Sequence, residues 1–422
     1  MSVARTGSRW LSRPRLRRGG AEGVRGRAAA PISVGVERRV ATDWEGPILF
    51  TLTIVLVSFG LVTLYSASAV MAQTAGLADY HFVVRQAAGA AVGLVVLALL
   101  ARLDYRWLRQ VAGPLVIATI LVMLVVVMPG TEAIAPRING ARRWLIFGPI
   151  ALQPSEFAKF ALIVWTAAMA VKKQERLPSL SRGLLPFLVV WGAVIGLIML
   201  QPNLSAAVIV GLLATLVVFA GGARIGHFIL LGVVGLPILW GQVESVAYRM
   251  RRVLAFLDPT QDQAGISYQI NQALIAFGSG ELFGRGVGRG GQKFGFLPEL
   301  HNDFIFAVVG EEWGFVGTLV VVLLFAGVAL FGYRVARRAP DLFGMLLAVG
   351  LTNLIVVQAL LHMAVNTALV PTTGVTLPFF SYGRSSLLVC MAAIGVLISI
   401  SRAGANSVSA VLDRNDRVGV GR

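Results

Sequence analysis

Ten stretches of mostly apolar residues, each about 18 to 25 long and thus long enough to cross a bilayer as a helix, alternate with polar connections along the chain. They fall near 47–70, 82–101, 110–128, 153–171, 184–200, 204–221, 225–243, 304–332, 341–362 and 385–401. The pattern predicts an all-α polytopic membrane protein with about ten transmembrane helices and one large connection, roughly 244–302, between helices 7 and 8. Arg and Lys crowd the connections at 102–109, 172–182 and 334–338, whereas those at 201–203 and 363–383 have none. The positive-inside bias then puts both termini in the cytoplasm and the large connection outside the cell.

Composition agrees: 56% of the 422 residues are hydrophobic and only 14% charged, more apolar surface than a soluble core absorbs. The net charge of +17 does not point to nucleic acid. Ten arginines lie in the first 39 residues, within an arm (1–46) that has no apolar period and is expected to be disordered against anionic headgroups. No apolar core with a small-residue cleavage site follows that arm, so it does not read as a signal peptide. Residues 47–401 form the membrane domain and 402–422 a cytoplasmic tail. Cys390 is the one cysteine, and His81, His227, His301 and His362 are scattered, which supports neither a disulfide framework nor a histidine metal site.

Three connections hold the unusual chemistry. In 137–160, Arg142 and Arg143 precede Trp144, and clustered positive charge against the topological bias suggests an anionic partner such as a phosphate. Glu156 and Lys159 follow at a spacing that shares a helix face and allows mutual neutralisation; an ion pair and a ligand-facing role are equally open. In the large loop, GRGVGRGG (284–291) lacks the strand that a nucleotide-binding glycine loop requires, and its glycines instead let backbone approach a headgroup or another loop. Arg285 and Lys293 add charge there, and Glu299, His301 and Asn302 lead to Asp303 at the start of an apolar helix. Asp303 could be an N-cap or a base. Glu311 and Glu312 diverge by about 100° on a helix, so one is expected to pair with a cation from another span rather than both forming a dyad. The third segment, 366–386, is rich in Pro, Gly, Ser and Thr; such backbone survives at membrane depth only when it lines a cavity.

The strings GARRW, QPSEFAKF, QPNLSAA, FLPELHNDFIFAVVGEE and PTTGVTLPFFSYG, in this order, resemble the signatures of the SEDS family, the FtsW, RodA and SpoVE proteins of bacterial wall synthesis. YQINQALIAFGSG, Gln292-Lys293 and GEEWG look closer to the division branch, FtsW, than to RodA. The resemblance implies a glycosyltransferase that polymerises lipid II into peptidoglycan on the outer face of the cytoplasmic membrane, at the septum. It places the family's essential aspartate at Asp303, its Arg-Trp pair at Arg143 and Trp144, and its membrane Glu and Lys at Glu156 and Lys159. Arg142, Arg285, Lys293, Glu299, His301 and Ser381, from the same three connections, join the expected substrate site by charge and position rather than by the resemblance. Three positions depart from the family pattern: Asn203 for Asp in Q-P-D, Arg384 for the first Gly of S-Y-G-G-S-S, and His362 for an amide, with Asn366 the amide retained there.

The family's inverting transfer needs a base, for which Asp303 is the candidate, and a charge sink for pyrophosphate among Arg143, Lys159, Arg285 and Lys293. A divalent cation, Mg2+ or Mn2+, is the expected cofactor, with no organic cofactor. A monofunctional class B penicillin-binding protein and other division proteins are the expected partners. The competing readings are a lipid II flippase and a non-catalytic scaffold for a transpeptidase.

Overall fold

The structure, a computed structural model, describes residues 43–138, 140–148, 150–258 and 265–419; most of the basic arm lies outside them. The ten expected spans are all helices: α1 (Glu45–Thr74), α2 (His81–Arg102), α3 (Trp107–Val127), α4 (Pro154–Lys172), α5 (Leu185–Leu200, preceded by a π turn), α6 (Leu204–Ala220) and α7 (Ile225–Glu244), then α10 (Ile305–Arg338), α11 (Leu342–Asn366) and α12 (Arg384–Gly419). Nine of these are long and apolar enough to span a membrane, and α6, at 17 residues, is slightly shorter. The large connection carries two further helices, α8 (Ala247–Leu257) and α9 (Ile266–Gly280), and a two-stranded hairpin, β1 (Leu145–Phe147) with β2 (Ile150–Leu152), precedes α4. Helix α12 runs past the expected end at 401 to Gly419.

Burial grades the bundle. About 70% of the membrane-length window of α4, α11 and α12 is buried (72%, 67% and 72%), against 22% of α3 and none of α7. The central three therefore pack on protein, while α3 and α7 present Ile117, Leu121, Val233 and Leu236 outward, as lipid-facing helices do. Helix starts follow local chemistry. Pro154 opens α4, where its missing N–H costs nothing. Asp341 caps α11 by accepting from the Gly344 N–H at 2.7 Å, and Asn203 caps α6 by accepting from the Ala206 N–H at 3.2 Å. The cap accounts for the Asn203 departure, since Asn and Asp cap about equally well.

The main difference from expectation is in α10, which is broken at Gly314 (φ 67°, ψ −161°). Residues 281–286, running from the end of α9 into the glycine tract, fill the break. Phe315 and Val316 donate to the Glu281 and Leu282 carbonyls, while Arg285 and Gly286 donate to those of Glu311 and Glu312, all at 2.9–3.1 Å. A bilayer offers no water to freed backbone groups, and this exchange satisfies them from within the protein. The two glutamates then gather the glycine tract. Glu311 accepts from the Gly291 N–H at 2.7 Å and the Gln292 N–H at 3.3 Å; Glu312 accepts from the Ser66 hydroxyl of α1 at 2.6 Å and lies 3.8 Å from Lys293 Nζ. The expected cation thus comes from the loop, not from another span, and the backbone that the tract approaches is that of α10.

Gly314 occupies a conformation open essentially to glycine alone, and a Cβ there would stand 2.3 Å from the Gly284 nitrogen. Gly314→Ala is expected to cost about 1–3 kcal/mol or more from strain, seen as a lowered melting temperature in detergent. Gly113→Ala, inside α3 where a Cβ would meet nothing within 4 Å, should not lower it and should raise it slightly, since Ala favours a helix interior over Gly.

Candidate active site

Asp303 closes a turn in which its N–H and that of Asn302 donate to the Glu299 carbonyl at 2.9 and 3.0 Å. The helix that follows starts at Phe304 without a cap from its own segment. The cap comes from α11: Asn366 Oδ1 accepts from the Ala307 N–H at 3.1 Å, while its Nδ2 donates to the Asp303 and His362 carbonyls, each at 2.9 Å. Asn366, the amide retained from the family pattern, therefore does the work that Asp303 could have done, and the Asp303 carboxylate is left for other chemistry.

That carboxylate has no ion pair within 4.0 Å among the described residues. Burial, and then the negative charge of Glu299, push its pKa up to about 7, against the pull of Arg252 and Arg143. A carboxyl pushed up to about 7 has the acidity a general base needs. Arg143 donates from Nε to the Gln201 carbonyl at 3.0 Å and also to that of Pro202. Its pKa is lowered by burial and by the positive charges of Arg252 and Arg249, with Tyr248 and Asp303 acting the other way. Arg252, on α8, donates to the Thr372 carbonyl at 3.1 Å and lies 4.5 Å over the Tyr248 ring. The loop before α4, helix α8, the turn before α10 and the segment after α11 thus converge on one carboxylate.

Arg143, Arg249 and Arg252 outnumber Asp303 and Glu299, so the cluster carries excess positive charge. Its surroundings also hold buried polar atoms without a hydrogen-bond partner: both amide atoms of Gln201, Arg252 Nε, Asn302 Oδ1, and the hydroxyls of Thr372 and Thr373. Unsatisfied groups of this kind are costly to bury, and a polar anionic ligand would meet them.

The other expected residues fall into distinct places. His301 is buried between Phe82 and Tyr382, with ring centroids 5.3 and 6.0 Å away; burial lowers its pKa despite Glu299. The Ser381 hydroxyl donates to the Asn302 carbonyl at 2.6 Å and accepts from the Leu377 N–H at 2.8 Å, locking 377–382 against the Asp303 turn. Gln86 of α2 holds the same segment through the Ser381 carbonyl and the Gly383 N–H. Glu156 and Lys159 form a buried ion pair at 2.8 Å, and Lys159 also donates to Gln358 of α11 at 2.6 Å. Arg142 turns into its own loop, to Glu132 at 2.5 Å and the Met128 carbonyl at 3.0 Å. Trp144 is half-buried just before β1. Arg285 donates to the Ser279 carbonyl and Lys293 serves Glu312, both at the α10 break. None of Arg142, Lys159, Arg285 and Lys293 is among the charges acting on Asp303. The stem of Arg384 lies against Gly89 of α2, whose missing Cβ would stand 3.0 Å from Arg384 Cγ.

Sequence reasoning missed Arg252 and Arg249. The available signal was the one that drew attention to Arg142 and Arg143: basic residues on the side of the membrane where they are depleted.

A bundle of ten apolar helices with a half-buried carboxylate among arginines at one end defines an integral membrane protein with a charged cluster at one end of its helices. Within that class, the chain belongs to the FtsW, RodA and SpoVE family of cell cycle proteins, which matches residues 47–406. It is 42% identical over 354 residues to the probable peptidoglycan glycosyltransferase FtsW of Trichlorobacter lovleyi, covering 84% of this chain and 92% of that protein. It is 39% identical over 355 residues to the stage V sporulation protein E of Bacillus subtilis, covering 84% and 96%. Among solved structures it is similar to a chain from a peptidoglycan synthase complex in which polymerization and crosslinking are coordinated (30% identity, 84% and 96% covered, TM-score 0.68). It is also similar to the rod shape determining protein RodA of Thermus thermophilus (30% identity, 84% and 95% covered, TM-score 0.61).

The Asp303 carboxyl, raised from 3.8 to about 7, favours the folded state when protonated, so its contribution is fully present below the unfolded pKa and is lost as pH rises through 7. Asp303→Asn should therefore melt higher than wild type at pH 8, with the gap narrowing towards pH 5, as followed by thermal unfolding at both pH values.

Proposed function

We infer that this chain is a peptidoglycan glycosyltransferase of the bacterial inner membrane that polymerises lipid II into glycan strands for the septal wall. The observation that carries the reading is the half-buried Asp303 carboxyl, pushed up to about 7 under the charges of Arg143 and Arg252, beside buried polar atoms that lack hydrogen-bond partners. The relatives' names supply the reaction class and the division role.

In the reaction, the acceptor sugar's 4-hydroxyl attacks the anomeric carbon of the donor as the bond to the lipid pyrophosphate breaks, inverting the centre from α to β. Asp303 takes the hydroxyl proton. Arg143 and Arg252 neutralise the charge that develops on the departing pyrophosphate, the kind of preorganised stabilisation that contributes most in a water-poor site. A divalent cation would be held by Glu299 with pyrophosphate oxygens, oxygen donors of the kind Mg2+ prefers, leaving Asp303 free as the base, and it would supply further charge neutralisation. No group of three or more His, Cys, Asp or Glu suited to a metal occurs among the described residues, so the chain alone would not hold such a cation and substrate oxygens would have to supply most of its donors.

The arginine-rich connections lie at the opposite end of the bundle from Asp303, and the positive-inside bias supports an orientation with Asp303 outside the cell and both termini within. Glycan strands need crosslinking, and a class B penicillin-binding protein is the partner proposed for that step, with other division proteins alongside.

The test is lipid II polymerisation by purified protein with its penicillin-binding partner. Asp303→Asn keeps the turn and removes the base, and should lower the rate by about 10²-fold or more. The wild-type rate should fall as pH drops below 7. Arg252→Ala and Arg143→Ala should each lose about 10²- to 10³-fold, while Arg142→Ala stays within a few fold. Glycan chains from Asp303→Asn at the wild-type rate would remove Asp303 from the chemistry.

A further inference from the structure

Backbone geometry does not call for a glycine at position 374. Its φ lies outside the left-handed region. A Cβ built there would meet, apart from the residues on either side, one atom within 4 Å, Asp303 Oδ2 at 3.6 Å. Neither a left-handed backbone nor a close approach of two chains, the usual reasons for glycine, therefore applies. No other described glycine has Asp303 among the nearest neighbours of its Cβ position. Where alanine fits, glycine lowers stability by leaving the unfolded chain freer, so the open space beside the carboxylate needs a reason outside the fold.

The segment is held on both sides of that space. Arg252 donates to the Thr372 carbonyl at 3.1 Å, and His362 Nδ1 donates to the Val375 carbonyl at 2.7 Å. Thr372 and Val375 are buried, whereas Gly374 between them is exposed and Asp303 is half-buried. The Gly374 backbone thus borders an open side of the carboxylate. A hydroxyl that donates to a carboxylate oxygen at about 2.7 Å has its own carbon about 3.5 Å from that oxygen, since the C–O bond is set back at a tetrahedral angle. The Cβ position of residue 374 stands at nearly that distance from Oδ2.

We infer that the acceptor sugar reaches Asp303 over the backbone of Gly374, with its hydroxyl-bearing carbon in the place that a side chain at 374 would fill. This assignment rests on the glycosyl-transfer reading and fixes the side from which the acceptor comes. Oδ2 is then the oxygen that takes the hydroxyl proton, as the acceptor oxygen bonds to the donor's anomeric carbon and the pyrophosphate leaves with the electrons of the broken bond. Gly374 touches no reacting atom. It is a positioning residue, and what it contributes is the absence of a side chain.

The experiment compares Gly374→Ala with wild type in lipid II polymerisation by the full-length protein and its penicillin-binding partner. The variant should melt no lower than wild type, because the methyl fits, yet polymerise about 10²-fold more slowly or worse, because the acceptor is displaced. Gly383→Ala, in the same segment with its Cβ position against Thr376 and Ser386 at 3.8 and 3.9 Å, should stay within a few fold. Lipid II epimerised at C4 of its terminal sugar fits as a donor but offers no correctly directed hydroxyl, and it should bind Gly374→Ala and wild type with the same Kd. A wild-type rate in Gly374→Ala, an equal loss in Gly383→Ala, or epimer binding that weakens in step with the rate would overturn the inference. Failure of wild type to polymerise natural lipid II would instead sink the glycosyl-transfer reading, and this assignment with it.

Discussion

A helix inside a bilayer must find a partner for every backbone group within the protein, and the break in α10 is where this chain meets that demand most visibly. Once Gly314 leaves the helical conformation, residues 281–286 must enter to receive and donate the freed hydrogen bonds. The glycine tract is then drawn onto Glu311 and Glu312, and Ser66 of α1 onto Glu312. The large loop is thereby sewn to α10 a few residues beyond Asp303. The first segment of α10, Ile305 to Trp313, becomes a short, deeply buried stub, and the carboxylate stands at its outer end.

The charges divide by the same logic. Arg285 and Lys293 close the break, Lys159 neutralises Glu156 against Gln358, and Arg142 braces its own loop. Arg143 and Arg252, by contrast, bond among the described residues to carbonyls and a tyrosine, and their charges act on Asp303. A cation whose charge is already cancelled contributes little to binding an anion. That distinction, more than proximity in sequence, separates framework arginines from those that can take part in chemistry.

The spans were legible because bilayer thickness sets a length that any apolar run can be measured against; all ten expected helices are present, α6 at 17 residues. Asp303 stood out as a carboxylate where a loop meets an apolar helix, and Arg143 as positive charge where it is disfavoured. Arg252 did not, although Arg249, Arg251 and Arg252 repeat that anomaly, because the loop is long enough for its charges to lose their topological meaning. The α10 break was hidden for another reason. A lone glycine in an apolar run fits an unbroken helix at modest cost, and only two buried acids beside it, together with a glycine-rich loop able to serve them, distinguish a break. Whether Asp303 capped its helix was undecidable from sequence, since the residue that does so is 63 positions away in α11.

That remote cap couples parts of the molecule that would otherwise move separately. The single side-chain amide of Asn366 holds the carbonyl of Asp303 and the first turn of α10, and its own backbone ends α11 and begins the segment that carries Thr372 and Ser381. A sideways push on the end of α11 would displace the carboxylate, the arginine-bearing α8 that leans on Thr372, and the lining hydroxyls as one unit. The turn that carries the carboxylate therefore cannot shift independently of α11, because one amide ties the two together.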